Sequence, residues 1–258
     1  MRLLAIGDVC GPCGVRCIER YLPRVREELE ADAVVVNAEN AAVFGLHPED
    51  ARRILNSGAD ALTLGNHAFS QKNIASYLEE SERVVRPANF SDKAPGQGMI
   101  FVPTPAGELA VLNLIGRCDM RFGPESPFDA ADRLLERAQA RTPLICVDFH
   151  AEATSEKYAM AYHLDGRVSA LWGTHTHVQT ADERVFPGGT GFLCDLGMTG
   201  AVDSVIGIRP DTSLAYFRGD MLTKFLTADG KAMLCGALFV LDEAGKCVSV
   251  ERVRYDEG

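Results

Sequence analysis

An α/β fold with mixed sheets is predicted by three observations. Short Val/Ile/Leu-rich runs recur, each stopping abruptly at polar residues, as strands buried on both faces do. Helical apolar spacing fills several intervals between them, which implies parallel pairing in the first part. The C-terminal part instead holds strand-like runs paired around turn signals.

The strand runs come in order. LLAI ends in Gly7-Asp8. AVVV ends in Asn37, with Glu39-Asn40 just beyond. ALTL ends in Gly65-Asn66-His67. LICV ends in Asp148-Phe149-His150, VSALW in Gly173-Thr174-His175-Thr176-His177, and GFLC in Asp195-Leu196-Gly197.

Between them, residues 15–30 place Val15, Ile18, Leu22, Val25 and Leu29 near helical spacing, with Pro23 expected to kink the segment. Residues 48–57 begin with acids and stop at Gly58, good helix start and stop chemistry. Residues 72–80 and 128–140 also read as helices. Thr154-Ser155-Glu156-Lys157 offers an N-cap before 158–164. Runs 99–102 and 109–114 flank Pro105-Ala106-Gly107-Glu108. Runs 232–241 and 246–255 flank Asp242-Glu243-Ala244-Gly245, so both pairs read as hairpins. Residues 197–200, near Asp203 and Ser204, read as a glycine-rich connection or a substrate-side loop. The loop 116–127 either covers a site or simply connects; its Arg117 and Arg121 are weak candidates for phosphate contact, because exposed arginines usually make none. With no repeat and no linker, 1–258 reads as one domain.

The formal net charge of −10 argues on electrostatic grounds against a broad nucleic-acid surface. A phosphate handled here needs local positive charge from another source. No apolar run reaches the ~18–20 residues of a membrane helix. The N-terminus meets Asp8 too early for a signal peptide, so a cytoplasmic protein is expected. The eight cysteines then read as reduced thiols. Cys10, Cys13 and Cys17 could suggest a metal cluster by spacing, but no fourth Cys follows; small packed residues are the preferred reading.

Residues just past the carboxyl ends of strands converge where α/β sheets bind ligands. Asp8, Glu39, Asn40, Asn66, His67, His150, His175 and His177 are therefore expected in one place. Carboxylates, amide oxygens and imidazoles are ligands for first-row metals. So many donors suit two ions sharing a carboxylate, and two ions could clamp a phosphoryl group and activate water. They would also supply the missing positive charge. In an extended segment His175 and His177 face the same side and Thr176 the other. If Asn66 ligates, His67 is held close enough to act as general acid, with a ligand or supporting role as the alternative. His47 and His163 lack partners in this pattern and receive no role.

GDVCG, NAEN, GNH, DFHAEATSEK and GTHTHVQTADE resemble the calcineurin-like metallophosphoesterase superfamily, most closely its bacterial YmdB-type branch. RPAN, DGRVSA and DLGMTG extend the resemblance over nearly the whole chain. It implies a four-layer α/β/β/α sandwich of two mixed sheets flanked by helices, with a dinuclear centre. It implies a phosphodiesterase on 2′,3′- or 3′,5′-cyclic nucleotides, with phosphomonoesters as further substrates. One metal would take Asp8, Asn40 and His177, the second Asn66, His150 and His175. Glu39 would bridge them, and His67 would protonate the leaving group after attack by a metal-bound hydroxide. Two divalent or mixed-valence ions are implied, iron first, manganese or zinc as alternatives, and a homo-oligomer. The chain departs from the broad superfamily at Cys10, where a histidine ligand is usual, and at Glu39-Asn40, where Gly-Asp is usual. Both departures fit the YmdB-like branch, with Asn40 standing in for the absent histidine. Two competing functions are a dinuclear amidohydrolase in an eight-unit β/α barrel and a regulatory nucleotide- or RNA-associated protein with slow turnover.

Overall fold

The computed structural model describes residues 1–120 and 123–257. In chain order it runs β1 (Arg2–Ile6), β2 (Asp8–Val9), α1 (Gly11–Glu28), β3 (Ala33–Asn37), α2 (Pro48–Asn56), β4 (Ala61–Thr63) and α3 (Ile74–Glu80). Then come β5 (Val84–Val85), β6 (Met99–Thr104), β7 (Gly107–Ile115), α4 (Pro127–Gln139), β8 (Ile145–His150), α5 (Thr154–Leu164) and β9 (Ala170–Thr174). The last elements are β10 (Arg184–Val185), β11 (Gly191–Leu193), β12 (Met198–Ala201), α6 (Pro210–Phe217), β13 (Ala232–Leu241) and β14 (Cys247–Asp256).

One sheet has the order β2-β12-β13-β1-β3-β4-β5, with β14 paired to β13; the other runs β10-β11-β9-β8-β7-β6. Pairing from β1 through β3 and β4 to β5 is parallel, as is pairing from β7 through β8 and β9 to β11. The two expected hairpins, β6–β7 and β13–β14, are antiparallel. Both sheets are therefore mixed.

Strand alternation builds the layers. Leu4, Ile6, Val34 and Val36 face α1, α2 and α3, where Ile18, Leu22, Ile54 and Leu78 pack. Leu3, Ala5 and Val35 turn the other way and meet Val111, Cys146, Trp172 and Leu193 of the second sheet. Trp172 and Phe239 pack across this seam with ring centroids 5.7 Å apart. The outer face of the second sheet carries Leu112, Val147 and Leu171 against Leu135 of α4 and Met160 and Leu164 of α5. The result is the four-layer α/β/β/α sandwich. Two facing sheets leave no closed barrel, so the amidohydrolase alternative loses its fold.

Several expectations needed adjustment. Pro23 sits exposed inside α1, and the helix continues through it to Glu28, because Val15, Ile18, Leu22 and Val25 stay buried along one face. Each such aliphatic side chain contributes about 2 kcal/mol by leaving water. Helix α5 starts at Thr154 rather than after it, with Ala153 as its cap. Residues 198–201 are strand β12, which pairs β2 in parallel and β13 antiparallel, rather than a connection or a loop. Helix α6 had no counterpart in the sequence reading. Among the described residues, no helix is long and apolar enough to cross a membrane.

Candidate metal centre

The two sheets bring their strand ends together. Asp8 follows β1, Glu39 and Asn40 follow β3, and Asn66 and His67 follow β4. His150 ends β8, while His175 and His177 follow β9. Asp8, Glu39 and His150 are completely buried, and Asn40 is 8% exposed.

One group forms around His150. Its Nε2 lies 3.0 Å from Asn66 Oδ1, 3.1 Å from Glu39 Oε1 and 3.1 Å from His175 Nδ1. Glu39, His150 and His175 each place a ligand atom within 4.8 Å of the others. A second group forms around His177, whose Nε2 lies 3.1 Å from the Asn40 side-chain amide and 3.7 Å from Asp8 Oδ1. The structure thus gathers Asn66, Glu39, His150 and His175 in one group and Asp8, Asn40 and His177 in another. Residue Gly65 makes the contact between Glu39 and His150 possible. A Cβ there would fall 2.2 Å from Glu39 Oε2 and 2.4 Å from His150 Nε2.

The outward nitrogens of the three imidazoles all have acceptors. Thr174 donates to Asp148 Oδ1 at 2.7 Å, so its oxygen accepts from His150 Nδ1 at 2.9 Å. Nε2 of His175 donates to Glu152 at 3.0 Å, and Nδ1 of His177 donates to the Ile206 carbonyl at 3.0 Å. For His150 and His175 these contacts assign the tautomers and turn bare nitrogens inward. Asp8 Oδ1 and Glu39 Oε1, both buried, have no hydrogen-bond partner. Lone pairs thus converge on lone pairs, an arrangement that burial makes costly and that cations would reconcile. The donors fit the transition-metal centre expected of them.

Protonation follows the same logic. Burial raises Asp8 above the usual carboxylate range and lifts Glu39 to about 7. Burial lowers His150 to about 4 and His175 to about 3, keeping both neutral. For His177 burial also pushes down, but Cys10 and Asp8 outweigh it and raise the imidazole well above its ordinary value.

The backbone contradicts one expectation. Strand β9 stops at Thr174, and His175 and His177 have φ of 100° and 63°, so the segment is not extended. Both rings still line one cavity, but Thr176 lines it as well, with its hydroxyl turned to Asp195. Asp195 holds this strained turn: its Oδ2 accepts from Thr176 N at 3.2 Å, from Thr176 Oγ1 at 2.7 Å and from Lys157 Nζ at 2.7 Å. Lys157 and Asp195 are 2% and 1% exposed. Val43 and Ile206, with φ of 72° and 46°, line the same cavity. Strain of this kind gathers at sites that the surroundings over-determine.

His67 lines the cavity outside both sets. Its backbone N–H donates to Glu39 Oε2 at 3.2 Å, its Nδ1 lies 3.4 Å from Ser70 Oγ, and its ring meets Phe44 at 4.8 Å between centroids. Cys10 is buried, donates to the Asp8 carbonyl at 3.4 Å, and packs its sulfur 3.6 Å from His177 Nδ1. Cys13 and Cys17 pack in the core under α1. Among the remaining histidines, His47 stands at the N-cap position of α2 without a side-chain capping bond. His163 does have partners, Asp132 at 3.0 Å and Arg167 at 3.2 Å, on a surface away from the cavity lining. Arg117 is exposed, with its backbone N–H on Glu156; Arg121 lies outside the described residues.

Sequence reasoning missed three supporting acids: Asp148, Glu152 and Asp195. Asp148 is fully buried, accepts from Asn37 at 2.9 Å as well as from Thr63 and Thr174, and is raised to about 7 by burial. The run-and-stop pattern did mark Asp148 and Asp195, but gave them no partner.

Known proteins share this architecture. A family model described as YmdB-like protein matches residues 4–253. A 2′,3′-cyclic-nucleotide 2′-phosphodiesterase of Bacillus subtilis (strain 168) is 42% identical over 261 residues, covering 100% of this chain and 98% of that protein. The crystal structure of a hypothetical protein from Thermus thermophilus superposes with TM-score 0.93 at 40% identity, covering 100% of both chains. That of a novel phosphatase from Mycoplasma pneumoniae superposes with TM-score 0.92 at 31% identity, covering 99% of this chain and 93% of the other. With a family match over nearly its whole length and relatives of this similarity, the chain belongs to the YmdB-like metallophosphoesterases.

Proposed function

We propose that this chain is a metal-dependent phosphoric ester hydrolase, acting on phosphodiesters and foremost on cyclic nucleotides. The named activities of the B. subtilis and M. pneumoniae relatives support the substrate class and the reaction. The observation that carries it is the convergence of the bare His150 and His175 nitrogens with the buried oxygen Glu39 Oε1, beside buried Asp8 Oδ1; neither oxygen has a hydrogen-bond partner among the described residues.

Asp8, Asn40 and His177 would hold one ion and Asn66, His150 and His175 a second, with Glu39 shared. Mixed oxygen and nitrogen donors suit iron, manganese or zinc alike; the family resemblance puts iron first. When bound, two such ions lower the pKa of a water and offset charge on the phosphoryl group. The protein's own residues aim and support them. Thr174, Glu152 and the Ile206 carbonyl fix the three imidazole orientations. Asp195 holds the turn that presents His175 and His177. His67 lies close by without belonging to either donor set, and Phe44 packs its ring. A proton at His67 Nε2 would pass to the leaving oxygen.

Elemental analysis of the purified protein should give close to two transition-metal equivalents per chain. The metal-loaded protein should hydrolyse bis-p-nitrophenyl phosphate and 2′,3′-cyclic nucleotides. His67→Ala should slow the cyclic nucleotide about 100-fold or more, with a smaller loss for the p-nitrophenyl ester, whose leaving group needs no proton. Undiminished hydrolysis by a metal-depleted Glu39→Ala variant would sink the proposal.

A further inference from the structure

The cavity beside the cluster has a second half that phosphoryl chemistry does not require. It encloses about 400 Å³, with Glu39, His67, His175 and His177 along its polar side. The rest of the lining is largely apolar and includes Val43, Phe44, Ile206, Ile208, Phe217 and Phe225. This half borders both donor sets. Phe44 enters beside His67, and Ile206 enters beside His177, which its carbonyl touches.

Two of these aromatics stand open to solvent, Phe44 at 44% and Phe217 at 77% exposure. Apolar surface of this size, adjoining a polar centre, favours a ligand with an apolar face of its own. A phosphate brings none and a ribose only a small C–H face; a nucleobase brings two flat faces. We infer that the apolar half of the cavity is a base-binding slot, in which the nucleobase of a phosphodiester substrate stacks on Phe44 and packs against Phe217 and Phe225. The inference rests on the phosphodiesterase reading and names what that site holds besides the phosphate.

The slot also says how the base is read. Among the described lining residues there is no Arg or Lys, and the one side-chain amide, Asn40, belongs to the metal set. The lining hydroxyls come from Thr176, Ser213 and Thr227. Recognition of base edges needs donor and acceptor pairs placed against them. With so few, the slot grips faces, so purines and pyrimidines are both accepted and the larger purine face binds more tightly.

The test compares a 2′,3′-cyclic purine nucleotide with glycerol 1,2-cyclic phosphate, a five-membered cyclic diester that carries no base. Both are assayed with the metal-loaded protein, with Phe217→Ala, and with Phe44→Leu, which keeps apolar bulk beside His67 but removes the ring. The wild type should prefer the nucleotide. Each variant should lower that preference, the ratio of the two kcat/KM values, by about fivefold or more, mainly through KM. A ratio unchanged in both variants, with both esters still hydrolysed, overturns the slot and leaves the phosphodiesterase reading standing. A metal-loaded wild type that hydrolyses neither ester overturns that reading and the slot with it.

Discussion

Glu39 Oε1 lies 3.1 Å from His150 Nε2, with both side chains fully buried, and that nitrogen carries no proton. Two lone pairs face each other there, across the boundary between the two sheets. The consequences are measurable with and without metal.

The metal-free protein should lose stability as pH rises from 6.5 to 8. Glu39 sits at about 7 against an ordinary 4.5, and Asp8 and His177 are also raised. A raised group binds its proton more tightly in the folded state. Its stabilising effect is complete below the unfolded pKa and is lost as pH climbs through the folded one. His150 and His175, lowered to about 4 and 3, act oppositely, but only below their unfolded value of 6.5. Above pH 6.5 the raised groups therefore dominate. Thermal unfolding of metal-stripped protein should show Tm falling by about 3 °C per pH unit. Metal should restore more stability at pH 8 than at 6.5, because binding displaces those protons. A metal-free Tm that rises over this range would contradict the assignment.

Asp195 couples the fold to the histidine turn. Asp195→Ala strands the Lys157 ammonium, 2% exposed, with its carboxylate gone. Such a loss costs about 3–5 kcal/mol. The double variant Lys157→Met/Asp195→Ala removes the stranded charge and should recover part of that stability. It should not recover metal affinity, because Thr176 has still lost the acceptor of its N–H and hydroxyl. Unfolding curves alongside metal titration separate the two effects; joint recovery of both would mean Asp195 serves only the ion pair.

Gly65→Ala should disable the centre while leaving the fold. Its Cβ would meet Glu39 Oε2 at 2.2 Å and His150 Nε2 at 2.4 Å, so the Glu39 carboxylate must move. Fewer than two metal equivalents per chain and a loss of turnover of about 100-fold or more are expected, since even outer partners of ligands cost 10–100-fold. Full metal content in this variant would show that Glu39 tolerates displacement.

Most donors were legible because each closes a local apolar run: Asp8 after β1, Asn66 after β4, His150 at the end of β8. Local pattern also delivered the layers' elements, since burial alternates residue by residue along β1 and β3. What stayed hidden depends on partners far along the chain. Asp148 finds Thr63 and Asn37 from 85 and 111 positions away. Asp195 reshapes the backbone at Thr176, which is why the expected extended geometry of His175 and His177 gave way to positive φ. Helix α6 escaped notice because only Ser213 is buried in it, leaving no apolar stripe to read. Residues 197–200 read as a connection or a substrate-side loop because so short a stretch shows no period; pairing of Met198–Ala201 with β2 and β13 makes a strand.

Trp172 and Phe239 have no part in the chemistry, yet they sit between the sheets that carry the donors. Trp172 lies three residues before His175, and Phe239 is on the strand paired with β1, which leads into Asp8. Their combined thickness therefore works as a gauge block. Shaving one ring would let the layers settle closer and shrink the gap that the ligand atoms span, detuning the centre from a position that touches none of them.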